Sequence, residues 1–181
     1  MITGKLTGLR AVETSDLEQL KHWRNLPSFR RNFREVRELN NDNQQKWFQL
    51  LQNNAARDYM FSIVDLKDNS LIGACGLLYI NWMIRSADFS FYIGKDEHYI
   101  DDKGYAEDAV NLLVNYGFNN LNLHKIWMEL YEFDNKKLDF FRNKFNFKID
   151  GTLRDNCFED GRYWNSHIIS LLREEFEMNK K

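Results

Sequence analysis

Ser86 to Phe118 reads SADFSFYIGKDEHYIDDKGYAEDAVNLLVNYGF, and three local signals follow one another along it. From Ala87 to Ile93 apolar and polar residues roughly alternate, the period of a half-buried strand, until Gly94 and the charged run Lys95 to Lys103 break the pattern. Helical spacing begins directly after Gly104. Tyr105, Ala106, Ala109, Val110, Leu113, Val114 and Phe118 recur near i, i+3, i+4 and i+7, while Glu107, Asp108, Asn111 and Asn115 fall largely off that face. Gly104 therefore stands at a helix entrance, where backbone N–H groups are unpaired and the macrodipole is positive. A phosphate could be held there, the glycine letting it approach the backbone; equally, a glycine at this point can serve only to make the turn.

The whole chain bounds that reading. At 181 residues, 43% apolar and 15% aromatic, it has material for one sizeable core, and it is read as one domain spanning residues 1–181. A formal net charge of −2 argues against a protein that coats nucleic acid or acidic membrane by global charge. Cys75 and Cys157 are the two cysteines, too few for a disulfide scaffold, and a reducing compartment fits them. The first 16 residues lack a basic region followed by an apolar block, and no stretch approaches a membrane span, so a soluble, cytoplasmic protein is expected.

In chain order, Lys5 to Val12 reads as a strand, Thr14-Ser15-Asp16 as a helix start, and Asp42 as the cap of a helix carrying Trp47, Phe48, Leu50 and Leu51. Tyr59 to Leu66 and Leu71 to Ile80 flank the turn Lys67 to Ser70, and Gly73 and Gly76 in the second strand mark close packing or a bulge. Lys125 to Tyr131 is another strand, Lys136 to Lys144 a helix with Leu138, Phe141 and Phe145 on one face, and Phe147 to Leu153 and Arg162 to Leu172 are strands around Asp160-Gly161. The order is β-α-α-β-β-β-α-β-α-β-β. Five arginines, Arg24, Arg30, Arg31, Arg34 and Arg37, occur within 14 residues. They form either a solvated helical face or a mouth for an acidic substrate.

This order and its local motifs resemble the GCN5-related N-acetyltransferases, and within them the RimJ/RimL-like branch, over nearly the whole chain. Asp101-Asp102-Lys103-Gly104-Tyr105-Ala106 is similar to that family's pyrophosphate loop, Ala87 to Ile93 to the strand before it, and Asn135-x-x-Leu138 with Phe147 to its later helix. The resemblance implies an α/β fold whose mixed, mostly antiparallel sheet is splayed between its fourth and fifth strands and flanked by helices. Acetyl-CoA would lie in that gap. Phe91, Tyr92 and Ile93 would pair with the pantetheine arm, Lys103, Gly104, Tyr105 and Ala106 would take the pyrophosphate, and Asn135 would contact the coenzyme. Three positions depart from the family pattern. Asp101 and Asp102 set two carboxylates next to a phosphate site. Arg142 stands where many members have a tyrosine that protonates the departing thiolate, and arginine, which could still bind phosphate or stabilise the thiolate by charge, holds its proton too firmly for that role. Asn165 replaces a frequent Asp.

Acetyl transfer to an amine needs a neutral amine and a group to receive its proton. Asp88, on the strand face of Ser90 and Tyr92, is the first candidate base and Glu129 the second; for each the alternative is a carboxylate in a structural hydrogen bond. A backbone N–H near Tyr92 or Ile93 is the expected oxyanion donor. His22, His98, His124 and His167 show no ligand spacing, so no metal is expected. Arg24, Arg30, Trp82 and His167 are the candidates for the acceptor pocket. The resemblance leaves the acceptor as a small-molecule amine or a peptide N-terminus. Trp23-Arg24-Asn25-Leu26-Pro27 resembles a segment of amino-sugar enzymes, and the arginines favour a nucleotide-linked or otherwise anionic amine over a polyamine. A module that binds acetyl-CoA without turnover is the competing class. Pairing of protomers through the terminal strands stays open.

Overall fold

The computed structural model describes residues 1–54 and 56–178. Within them eight strands make one open sheet, ordered β1-β2-β3-β4-β5-β6-β8-β7. These are β1 (Ile2–Thr3), β2 (Thr7–Ala11), β3 (Tyr59–Asp65), β4 (Leu71–Asn81), β5 (Ser86–Ile93), β6 (Lys125–Tyr131), β7 (Lys148–Glu159) and β8 (Arg162–Leu172). The helices are α1 (Leu17–Asn25), α2 (Pro27–Arg30), α3 (Asn41–Asn53), α4 (Tyr105–Asn115), α5 (Asn135–Phe145) and α6 (Arg173–Met178). Neighbouring strands run antiparallel except β5 and β6, which are parallel. The sheet is thus mixed and mostly antiparallel, as the motifs imply.

The parallel pair governs the shape. β5 and β6 meet at Ser86↔Lys125, Ala87↔Ile126 and Asp88↔Trp127 and then stop pairing, although β5 continues to Ile93 and β6 to Tyr131. The sheet splays after Asp88. Because Ile2–Thr3 adds a short edge strand, too short to show a period, the splay falls between the fifth and sixth strands rather than the fourth and fifth.

Both faces of β5 are packed. Phe89 and Phe91 meet Phe141 of α5 with ring centroids 5.4 and 6.3 Å apart, and Leu138, Phe141 and Phe145 form the buried stripe that docks that helix. Each such side chain contributes about 1.5–3 kcal/mol on burial. α4 turns Ala106, Ala109, Val110, Leu113 and Val114 inward, the face its periodicity predicts. Asp108, expected on the polar face, instead clips the N-terminus: its carboxylate accepts from the Lys5, Leu6 and Thr7 amides at 3.1, 2.8 and 2.8 Å and from Thr7 Oγ1 at 2.8 Å.

Other local expectations shift. Asn40, not Asp42, caps α3, trading bonds with Asn43 at 2.9 and 3.1 Å. α2 and α6 are additions too short for a period to reveal, and β7 runs past Leu153 to Glu159 through an irregularity in its pairing. Gly73 lies so close to the Tyr92 carbonyl that a Cβ there would collide with it, which confirms close packing at that glycine. Among the described residues no helix is long and apolar enough to cross a membrane.

Candidate active site

Where β5 and β6 part, a cleft of about 190 Å³ opens, lined by Arg24, Arg34, Asp88, Phe91, Glu129 and Lys137 among others. Asp88 occupies the last position at which β5 pairs with β6 and is only 3% exposed. Burial pushes its carboxyl above the ordinary aspartate range, although the Arg34 guanidinium bonded to Oδ2 pulls the other way. Across the gap, Glu129 Oε1 accepts from Asn156 Nδ2 at 2.6 Å and Ser166 Oγ at 2.7 Å. Its Oε2 faces the same guanidinium, 3.9 Å from Arg34 Nε. Two carboxylates from two diverging strands thus flank one cation.

That cation comes from residues 31–40, a segment without regular structure between α2 and α3. Phe33 anchors it, edge-on to Tyr92 and Tyr99 at 5.6 and 6.2 Å, with the Arg24 guanidinium stacked 4.0 Å over the Phe33 ring. Arg31 ties the segment to the β7–β8 turn through Asp160 at 2.8 Å and Glu159 at 3.6 Å. Arg30 pairs with Glu38 at 3.7 Å and Arg37 with Glu35 at 2.6 Å. Four of the five clustered arginines are therefore neutralised by the chain's own carboxylates. The fifth, Arg24, has no hydrogen bond among the described residues, and its Nε is buried.

On the other side of the splay the chain fills its own gap. Lys137, 6% exposed, donates from Nζ to the Phe91 carbonyl at 2.9 Å and to Tyr99 Oη at 3.1 Å, and Tyr99 Oη donates to Asp134 Oδ2 at 3.1 Å. Burial brings the Lys137 ammonium down to about 8 against the pull of Asp134 and Asp88, and burial likewise raises Asp134. The cost of burying that ammonium, several kcal/mol alone, is offset by its bonds and by the phenylalanines docking the same helix face. The Ile93 N–H donates to the Tyr99 carbonyl at 2.9 Å. At the helix entrance Gly104 adopts φ +95°, a left-handed conformation that glycine takes without strain. The amides of Lys103, Tyr105 and Ala106 converge there on the Asp101 carboxylate at 2.7, 3.1 and 2.6 Å. A carboxylate seated on three amides shows that the entrance accommodates an anionic group.

The sequence-derived candidates divide accordingly. Asp88, Glu129, Phe91 and Arg24 meet at the cleft, while Tyr92 and Ile93 continue along the splayed edge and residues 103–106 form the helix entrance. Others lie elsewhere. Arg142 is on the exposed face of α5 and Asn135 is exposed at its first turn, neither lining the cleft. Trp82 gives its indole N–H to the Ala56 carbonyl at 2.6 Å in an exposed turn. His167 is held against Thr152 Oγ1 at 2.9 Å on β8, and Arg30 is taken by Glu38. Lys137 is not among the residues that the sequence places at the site, and Arg34, one of the five clustered arginines, is there as the partner of Asp88 rather than as a mouth for an acidic substrate. The signal for Lys137 is its i, i+4, i+8 register with Phe141 and Phe145, which places a lysine on the buried face. Among the described residues no group of three or more His, Cys, Asp or Glu side chains is gathered as a metal site.

The profile of the acetyltransferase (GNAT) domain matches residues 7–139. A spermidine N(1)-acetyltransferase of Vibrio cholerae serotype O1 is 29% identical over 171 residues, covering 93% of this chain and 94% of that protein. The crystal structure of spermidine N-acetyltransferase from Vibrio cholerae in complex with CoA and spermine superposes with a TM-score of 0.85 at 26% identity, over 95% of this chain and 98% of the other. A dodecameric structure of the Vibrio cholerae protein in an intermediate state gives 0.78 at 25% identity, over 97% and 99%. These relatives, matched over nearly the whole chain, are spermidine acetyltransferases, whereas the motifs resemble the RimJ/RimL-like and amino-sugar branches.

Proposed function

As a member of the acetyltransferase (GNAT) domain family, the chain is an N-acetyltransferase with acetyl-CoA as co-substrate, and we propose that it acetylates a primary amine of a small polyamine of the spermidine class. The observation that carries this reading is the pair Asp88 and Glu129, two carboxylates on opposite lips of the splay that reach one cation. An acceptor ammonium presents the same charge as the guanidinium now bound there, and a second amine of a polyamine can use the carboxylate that the first leaves free. The relatives' substrates support the same class. The clustered arginines no longer favour an anionic acceptor, because Arg30, Arg31, Arg34 and Arg37 are each matched by an acid.

The residues divide the work. Asp88, made more basic than an ordinary aspartate by burial, takes the proton that the acceptor's ammonium must lose before it can attack. Glu129, fixed by Asn156 and Ser166, orients the amine. The coenzyme supplies the acetyl group as a thioester. The β5 edge at Phe91 and Ile93 and the amides of Lys103, Tyr105 and Ala106 would hold it in place of the internal partners they now have. Lys137, with an ammonium near 8, lines the cleft and can give up a proton close to neutrality, a position Arg142 does not reach. The relative's dodecamer, together with the exposed Ile149, Leu153, Phe158 and Tyr163 on the β7–β8 hairpin, supports self-association.

A second reading rests on Arg24. Its guanidinium, without a hydrogen bond and with Glu35 acting on it by charge alone, stands where the cleft meets another cavity of about 430 Å³ between α1, α3 and the sheet, and suits an amine that also carries an anionic group, such as a nucleotide-linked amino sugar. The test is thiol release from acetyl-CoA with spermidine, spermine, a nucleotide-linked amino sugar and a peptide N-terminus. Highest kcat/KM on spermidine or spermine is expected. Preference for the amino sugar would favour the second reading, and no release with any amine would remove turnover altogether.

A further inference from the structure

We infer that residues 99–101 form a strap across the coenzyme groove, with the Asp101 carboxylate occupying the amides that the coenzyme's pyrophosphate needs; this rests on the coenzyme reading above. Asp101 is 7% exposed, and its two oxygens take the Lys103, Tyr105 and Ala106 amides at the entrance of an 11-residue helix. Two residues earlier, the Tyr99 carbonyl takes the Ile93 N–H in an antiparallel bridge, on the stretch of β5 that β6 has left unpaired. The Tyr99 ring is itself held inside by Lys137 and Asp134. One short segment thus covers the open strand edge and the helix entrance together. Beside it lies a cavity of about 380 Å³ between residues 100–104 and the α5 side chains Lys136, Phe140 and Lys144.

The loop that carries the strap holds three non-glycine residues in the left-handed region, Asp96, Glu97 and Tyr99 at φ 56°, 54° and 60°. That conformation is unfavourable and persists only where surrounding contacts enforce it. Asp102, by contrast, is turned out, with its side chain 92% exposed, so one of the two unusual acids does this work and the other does not. A carboxylate and a pyrophosphate cannot share the same three amides, since each carries negative charge and each needs the same donors. Coenzyme binding therefore requires the Asp101 side chain to leave, and affinity is lower by the strength of the bonds it gives up.

Calorimetric titration with CoA, paired with thermal melting of the ligand-free protein, tests this on the wild type and Asp101→Ala. A side chain capping a helix is worth enough that removing it should tighten CoA binding by roughly 2- to 30-fold, while the melting temperature without ligand falls by roughly 1–8 °C. If Asp101→Ala does not fold, Asp101→Asn, which keeps one accepting oxygen without the charge, should change in the same direction by less. CoA binding of equal or lower strength in a folded variant overturns the strap while leaving the coenzyme reading in place. Absence of CoA binding by both wild type and variant overturns the coenzyme reading and the strap with it.

Discussion

Arg34 lays its guanidinium on Asp88, a carboxylate otherwise shut away from water, while its own side chain stays half exposed at the mouth of the splay. The buried partner is fixed on a strand and the covering partner belongs to a segment without regular structure, so displacement falls on the arginine. The acceptor site thereby holds an internal cation much as the helix entrance holds an internal anion.

Asp88→Asn removes the proton acceptor while keeping the shape. With spermidine as acceptor, kcat/KM should fall about 100- to 10,000-fold, the range of positioned general bases. The folded carboxyl titrates above the ordinary aspartate range and acts only when ionised, so the wild-type rate should decline on the acid side above the usual carboxylate pH. The residual activity of the variant should lack that acid limb. A variant profile with the limb unchanged would take Asp88 out of this role.

Arg34→Leu takes away the competing cation and one of the influences that hold the Asp88 pKa down. The acid limb of the kcat/KM profile should move to higher pH, and KM for spermidine should drop several-fold with KM for acetyl-CoA unchanged. The protein should also lose stability, because Asp88 is left buried without a partner. A rise in KM for spermidine would mean that Arg34 grips the acceptor instead of standing in its place.

The strands and helices were legible because they follow from local periodicity, whereas the coenzyme reading came from the family resemblance. The alternation in Ala87 to Ile93 and the stripe of Ala106, Ala109, Val110 and Leu113 need no partner to be read. Side-chain direction was not legible in the same way. The five arginines looked like one positive patch until the fold brought Glu38, Asp160, Asp88 and Glu35 to four of them, and Asp160 and Asp88 are far from their partners in sequence. Asp101 reads in sequence as a misfit beside a phosphate, whereas an unpaired helix entrance takes in whichever anion is nearest, and that is Asp101 itself. Arg142, placed by motif spacing alone, lies on the solvent side of α5, because Leu138, Phe141 and Phe145 fix which face goes inward.

Lys137→Met tests the buried network. The folded ammonium titrates near 8, below the ordinary 10.5, so between those values the unfolded chain binds more protons and the wild type gains stability as pH rises. Relative to Lys137→Met, chemical denaturation from pH 7.5 to 10.5 should show that gain, up to about 3 kcal/mol, since each pH step of one between the two values contributes about 1.4 kcal/mol. At pH 7.5 the variant should also turn over more slowly if Lys137 hands on a proton. A pH-independent stability difference would show that the lysine titrates normally.

Asp108→Ala should unclip the amino terminus from α4. Burial pushes this carboxyl up, but the Leu6, Lys5 and Thr7 amides and the Thr7 hydroxyl outweigh it, and the folded value lies below the ordinary 3.8. The group therefore contributes stability that is fully present above 3.8 and is lost as pH falls through the folded value. Urea denaturation at pH 7 should show the variant destabilised by about 1–3 kcal/mol, discounted from the sum of four bonds because the site is part-exposed. Below pH 3.8 the difference should shrink as the carboxylate protonates. Hydrogen exchange supplies the local reading: the Leu6 and Thr7 amides should exchange faster in the variant, with those of β5 unchanged. Equal protection of the two amides in both proteins would show that β1 and β2 hold the terminus without Asp108.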